Sequence, residues 1–94
     1  MSTRSKPAKK RTELILSALK EGVLAHSSIL VDSDFDFIED DKDSYLVINK
    51  DPKLYIFYIG KVFYIGQSFH DATSKRKFIS IVEAMKFIVK SYIN

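Results

Sequence analysis

Residues 53–67, KLYIFYIGKVFYIGQ, contain two runs of aromatic and β-branched residues that meet at Gly60-Lys61. Such residues favour strands, and a glycine between two such runs is typical of a tight hairpin turn. The sequence therefore predicts a β-hairpin with strands at residues 54–59 and 62–66. Glycine at the first central position favours a type II′ turn.

A two-residue turn sets the register of this hairpin. The predicted pairs are Ile59 with Val62, Phe57 with Tyr64, and Tyr55 with Gly66. The opposite face is also apolar, with Leu54, Ile56, Tyr58, Phe63 and Ile65. A sheet with one side in water alternates apolar with polar residues, and this hairpin does not. Either helices cover both faces, or one face binds a partner through Tyr55, Phe57 and Tyr64.

Length and composition indicate one small globular domain. The chain has 94 residues, of which 46% are apolar and 29% charged, and it contains no cysteine. These values argue against disorder or a fibre and exclude disulfides and thiolate metal sites. The basic start is followed by an amphipathic stretch, and the longest uncharged stretch, residues 22–31, is too short to span a membrane. We expect a soluble, cytoplasmic protein with no membrane partner.

Positive charge is concentrated in two places. The first eleven residues contain five cations and no acid, and we expect them to form a flexible basic arm that either solubilises the protein or neutralises phosphates. These cations are Arg4, Lys6, Lys9, Lys10 and Arg11. The second cluster, Lys75, Arg76 and Lys77, ends a polar stretch, residues 68–77, that is predicted to be an exposed loop.

Negative charge is concentrated in residues 32–43, DSDFDFIEDDKD, which carry seven acids and one lysine. The opening Asp-x-Asp-x-Asp matches a calcium-binding EF-hand loop, but Phe37 replaces the glycine of the sixth position and Asp43 the glutamate of the twelfth. We therefore predict neither a metal nor a cofactor.

Acidic and aromatic residues alternate with period two at residues 34–37 of this stretch. This pattern predicts a strand at about residues 34–39 with Phe35 and Phe37 inward. An acidic turn follows it. Its residues Asp40, Asp41 and Asp43 either contact a basic protein surface or belong to an ordinary solvated loop.

The remaining elements complete an α+β fold. A first helix is predicted at residues 12–21, with Thr12 as N-cap and Gly22 as stop, and residues 23–31 either continue it or form an extended connection. A strand is predicted at 44–49 and a last helix at 81–92, capped by Ser80. The predicted architecture is an N-terminal helix, a three- to four-stranded antiparallel β-meander, and a C-terminal helix packed on the sheet. Residues 1–11 form the arm and residues 12–94 a single domain.

A strand with Gly60-Lys61 at its start and Gly66 at its end is followed by a loop and by a helix that opens with Glu83-Ala84. This order is similar to the three-stranded DNA-binding sheets of plant AP2 domains and of phage integrase arm-binding domains. The sequence departs from that pattern in its longer loop. It also lacks the arginine and tryptophan residues with which such sheets grip DNA. No binding residue is assigned from the resemblance.

Two functions are consistent with these patterns. No convergent acid, base and nucleophile are present, so we expect no enzyme. The first function is a small nucleic-acid-binding module that contacts DNA or RNA through the basic arm and Lys75–Lys77. The alternative is a regulatory or inhibitory adaptor of the phage or mobile-element type, which binds a protein partner through its acidic turn or an open sheet face. A homodimer through the surplus sheet face is compatible with either.

Overall fold

The computed structural model describes residues 7–39, 44–75 and 77–93, with side chains described at 11–39, 44–72 and 77–93. It confirms the α+β class, with an N-terminal helix, an antiparallel sheet and a C-terminal helix. The helices are α1 (Pro7–His26), α2 (Phe69–Lys75) and α3 (Ile81–Ser91), and a short 3-10 helix spans Asp32–Asp34. The strands are β1 (Phe35–Glu39), β2 (Ser44–Ile48), β3 (Leu54–Ile59), β4 (Val62–Gly66) and β5 (Lys77–Phe78).

The sheet has five strands, one more than the largest number predicted. They are ordered β1-β2-β3-β4-β5, and each pairs antiparallel with its neighbours. The predicted strands and register of the β3-β4 hairpin are confirmed. The predicted type II′ turn was wrong, because Gly60 has φ 58° and Lys61 also has a positive φ, 66°. Positive φ at both central residues defines a type I′ turn, whose twist matches that of the flanking strands.

Helix α1 is longer than predicted at both ends. It begins at Pro7, so residues 7–11 of the predicted arm are helical, whereas residues 1–6 lie outside the described residues. Proline suits this first turn because its missing N–H would lack a helical partner there. At the other end, the helix continues through Gly22 to His26. A Cβ on Gly22 would lie 3.0 Å from the sulfur of Met85, so glycine allows α3 to pack closely here.

One face of the sheet, the inner face, forms the main core with α1 and α3. Alternate residues of each strand share a face, which places Leu46, Ile56 and Ile65 together on this side. Leu16, Leu19 and Val23 of α1, and Ala84 and Ile88 of α3, are fully buried against them. Phe35 is buried as predicted, but Phe37 of the same face is 39% exposed, because β1 is an edge strand.

Helix α3 follows its prediction closely. The hydroxyl of Ser80 accepts hydrogen bonds from the backbone N–H groups of Val82 and Glu83, at 3.1 and 3.5 Å. This cap satisfies two donors that the first helical turn leaves without partners. Lys86 and Lys90 are exposed, as expected.

The predicted loop at residues 68–77 was wrong, since this segment forms α2 and leads into β5. The hydroxyl of Ser68 accepts a hydrogen bond from the N–H of Asp71 at 3.1 Å, which caps the helix. Ala72 is fully buried one turn after Phe69. The two apolar residues lie three positions apart, on the helix side that packs on the sheet.

Candidate nucleic-acid interface

The second face of the sheet, which we call the outer face, carries a row of side chains that crosses all five strands. Ile38 pairs with Tyr45, Tyr45 with Phe57, Phe57 with Tyr64, and Tyr64 with Lys77. The row therefore reads Ile38, Tyr45, Phe57, Tyr64 and Lys77. Three aromatic rings lie side by side in it, and a lysine ends it at β5.

A second row of the outer face lies one pleat away. It contains Asp36, Val47, Tyr55 and Gly66. The ring of Tyr45 lies 4.8 Å from that of Phe57 and 6.3 Å from that of Tyr55, measured between centroids. The rings of Tyr45, Tyr55 and Phe57 therefore form one continuous aromatic surface, and the register places Tyr64 next to Phe57.

Helix α2 covers part of this surface. The ring of Phe69 meets that of Phe57 edge to face, with centroids 5.0 Å apart and planes at 85°. Phe57 is thereby buried, whereas Phe69 keeps 52% of its surface exposed. Gly66 lets the helix approach, because a Cβ there would lie 2.5 Å from the backbone nitrogen of Ala72.

The three tyrosines of the outer face remain accessible. Tyr45, Tyr55 and Tyr64 are half-buried, in contrast to Phe57. Of the three aromatic residues that the sequence singled out, Tyr55 and Tyr64 are open in part and Phe57 is covered by α2. The sheet thus has apolar surface that neither the core nor α2 removes from water.

Two lysines flank the tyrosines. The Nζ of Lys53 lies 5.6 Å from the ring centroid of Tyr55, within the range of a cation–π contact. Lys77 is exposed and stands opposite Tyr64 in the register. Its neighbour Phe78 packs against the ring of Phe87 on the inner side, so Lys77 lies on the outer face. One cation therefore lies beside Tyr55 before the start of β3, and the other lies beside Tyr64 in β5.

The carboxylates on this face are engaged locally. Asp36 accepts a hydrogen bond from the side-chain amide of Asn49, and Asp71 accepts one from the backbone N–H of Gln67 at 3.0 Å. The Asp71 carboxylate therefore holds the residue two positions before α2 against the first turn of that helix.

The described members of the two predicted basic clusters, Arg11 and Lys77, do not share a face of the sheet. Arg11 is exposed on α1, which packs on the inner face, whereas Lys77 lies on the outer face. Lys9 and Lys10 belong to α1 and Lys75 to α2, and their side chains are not described. Arg4, Lys6 and Arg76 lie outside the described residues.

The residues that flank the predicted acidic turn, Glu39 and Ser44, lie toward the other edge of the sheet from Lys77. Asp40, Asp41 and Asp43 lie outside the described residues, but Glu39 and Ser44 on either side of them belong to β1 and β2. Four strand spacings of about 4.8 Å separate β1 from β5, or about 19 Å. The sheet therefore separates Glu39 at the β1 edge from Lys77 at the β5 edge.

Sequence reasoning missed two aromatic residues of the surface. Tyr45 alternates with Val47 in β2, which signals a shared face, but its place beside Phe57 depends on the register between β2 and β3. Phe69 fell in the segment taken for a loop. Only the capping pair of Ser68 and Asp71 signalled the helix that carries it.

Within the described residues, no group of three or more histidine, cysteine, aspartate or glutamate side chains is placed to hold a metal ion. The helices of the described part of the chain are all too short or too polar to cross a membrane.

Comparison of the chain with known protein families, with curated proteins and with solved structures found no match.

Proposed function

We propose that this protein is a small, non-enzymatic module that binds single-stranded nucleic acid on its outer face. The observation that carries the proposal is the row of Tyr45, Phe57, Tyr64 and Lys77. In it the accessible rings of Tyr45 and Tyr64 lie on either side of the covered Phe57, and Tyr64 adjoins a cation.

Stacking supplies the first part of the proposed affinity. Base stacking on an aromatic side chain contributes about 1–3 kcal/mol per base and tolerates any sequence, because every base has a π face. Tyr45, Tyr55 and Tyr64 offer three half-buried rings on one surface. Bases in a duplex are already stacked on each other, so such a surface favours unpaired strands.

Charge supplies the second part. The chain has a net charge of +3, and Lys53 and Lys77 lie beside the rings, where the phosphates of stacked nucleotides would pass. The basic residues Arg4, Lys6, Lys75 and Arg76 would add contacts that do not depend on sequence. The separation of Glu39 from Lys77 across the sheet keeps repulsion low at this edge. The proposed location is cytoplasmic.

Fluorescence anisotropy with labelled single strands of DNA and RNA tests the proposal. The strands should have about twenty nucleotides, longer than the ~4–16 nucleotides of a typical single-strand site. We expect binding that weakens steeply between about 50 and 200 mM salt, and weaker binding of a duplex of equal length. Tyr64→Ala should weaken binding about 5- to 100-fold, while Tyr64→Phe, which keeps the ring, should not.

Deleting residues 1–6 tests the arm without cutting into α1. Because Arg4 and Lys6 are its cations, the slope of log affinity against log salt should fall by up to about 2. Absent or salt-insensitive binding at low salt would exclude nucleic acid. A single stoichiometric protein partner that resists nuclease and is lost in Tyr64→Ala would then assign the same face to the adaptor function.

A further inference from the structure

Strand β1 ends the sheet on the side away from Lys77. In the part of the chain that the structure describes, β2 is its one strand partner. An unpaired strand edge presents a row of backbone N–H and C=O groups that can accept a further strand. This edge borders the outer face described above, but its backbone groups point away from the sheet within the sheet plane.

The hydrogen bonds of β1 identify which backbone groups point outward. The N–H of Asn49 donates to the carbonyl oxygen of Asp34 at 2.7 Å, so Asp34 faces β2. In an antiparallel ladder, alternate residues face the partner strand, which places Asp36 and Ile38 toward β2 as well. Phe35, Phe37 and Glu39 therefore direct their backbone groups away from the sheet.

Phe35 supports this assignment, because its N–H donates to the carbonyl oxygen of Asp32 and not to β2. The groups left at the outer edge are the C=O of Phe35, both groups of Phe37 and the N–H of Glu39. They suffice for a short added strand.

The negative charge of β1 indicates what kind of segment can bind at this edge. The Nζ of Lys20 lies 2.7 Å from a carboxylate oxygen of Asp32, and the Nζ of Lys50 lies 3.6 Å from one of Asp34. These ion pairs neutralise the two acids that precede β1. Within β1, Asp36 and Glu39 are both exposed, and no cation of the described residues lies within ion-pair distance of either. Nucleic acid is repelled by such an edge.

A second copy of this chain fits the edge poorly. Antiparallel pairing of two β1 strands about Phe37 would place Asp36 of each copy on the same face as diagonal neighbours, with no cation of β1 to pair with them. Like charges facing each other across strands are destabilising. A strand with positive side chains would meet the same acids favourably.

We propose that the outer edge of β1 binds an extended segment of a partner protein by strand addition, and that this segment carries lysine or arginine at two positions three residues apart. The spacing follows from β1 itself, because Asp36 and Glu39 are three residues apart and lie on opposite faces of the sheet.

A synthetic peptide tests the proposal. The probe is an acetylated and amidated peptide of about seven residues, within the usual strand length, made of valine and threonine with two lysines three positions apart. We expect saturable binding, measured by NMR titration with shifts at the amides of Phe37 and Glu39. A peptide with glutamates in place of the lysines should bind at least tenfold more weakly, as should one N-methylated at alternate residues.

Variants of the full chain complete the test. Phe37→Pro removes one outward N–H, which an edge strand tolerates, and should weaken peptide binding at least tenfold relative to Phe37→Ala. Asp36→Asn combined with Glu39→Gln should weaken it about fivefold. The N-methylated peptide gives the same information should Phe37→Pro fail to fold.

Equal binding of the lysine and N-methylated peptides, or no saturable binding, overturns the proposal. Two further results would also overturn it by naming another occupant. One is a dimer, seen by sedimentation, that Phe37→Pro abolishes. The other is peptide binding that appears only after residues 1–6 are deleted.

Discussion

The hydroxyl of Tyr92, directly after α3, donates a hydrogen bond to the carbonyl oxygen of Pro52 in the turn between β2 and β3. Tyr92 is 5% exposed, so the bond joins the end of the chain to the middle of the sheet in a buried setting. Tyr92→Phe keeps the ring and removes this bond. We expect the free energy of unfolding to fall by about 0.5–1.5 kcal/mol, measured by urea denaturation. Tyr64→Phe, which removes a half-buried hydroxyl on the outer face, is the matched control and should have a smaller effect.

The same residue predicts a pH dependence. Burial raises the pKa of Tyr92 from 10.0 to about 12, with smaller contributions from the carboxylates of Asp34 and Asp51. Because the folded state favours the protonated phenol, this contribution to stability is complete below pH 10 and is lost as the pH rises through about 12. The stability difference between the protein and Tyr92→Phe should therefore shrink over this window. A constant difference in urea denaturation across it would contradict the assignment.

Gly66 and Ala72 predict how α2 is held on the sheet. A Cβ on Gly66 would lie 2.5 Å from the nitrogen and 2.7 Å from the Cα of Ala72, and neither atom can move without shifting the helix backbone. Gly66→Ala should lower the free energy of unfolding by about 1–3 kcal/mol. It should also displace α2 and break the contact between the rings of Phe69 and Phe57. Hydrogen exchange should show faster exchange at the N–H of Ala72, which bonds to the carbonyl oxygen of Ser68. Unchanged protection there would mean that the contact does not hold the helix.

The β3-β4 turn predicts opposite effects at two adjacent residues. Gly60 has φ 58° and open space around its Cα, so Gly60→Ala should destabilise through the backbone alone, by about 1–2 kcal/mol. Lys61 has φ 66°, which disfavours a residue with a Cβ, and Lys61→Gly should stabilise by about 0.5–1 kcal/mol. Urea denaturation of both variants checks the pair. Destabilisation by Lys61→Gly would show that its side chain contributes more than its backbone costs.

The sequence predicted well wherever local patterns decided the structure. The runs at 54–59 and 62–66 and the glycine between them specified two strands and their register, and Ser80 specified the start of α3. The turn type could not be predicted, because Gly60 fits both a type I′ and a type II′ turn. The backbone conformation of Lys61 decides between them. Gly22 was misread as a stop, since the close approach of Met85 that favours it is a tertiary contact.

The candidate site was harder to predict from the sequence than the fold. Tyr55, Phe57 and Tyr64 could be grouped from the hairpin, but the row extends to Tyr45 and Lys77 through long-range pairing. A strand of two residues such as β5 has no periodicity of its own and exists because β4 offers it an edge. Placement of Lys77 beside Tyr64 therefore required the structure.

Lys77 allows the proposed interface to be separated from general basic charge. It ends the row of the outer face, whereas Lys86 is also exposed but lies on α3, which packs on the opposite face. Lys77→Gln and Lys86→Gln remove the same charge from the two sides. If single-stranded nucleic acid lies on the outer face, Lys77→Gln should reduce the slope of log affinity against log salt by about 0.7–0.9 and Lys86→Gln should leave it nearly unchanged. Equal reductions, measured by anisotropy across a salt series, would mean that net charge and not this face determines binding.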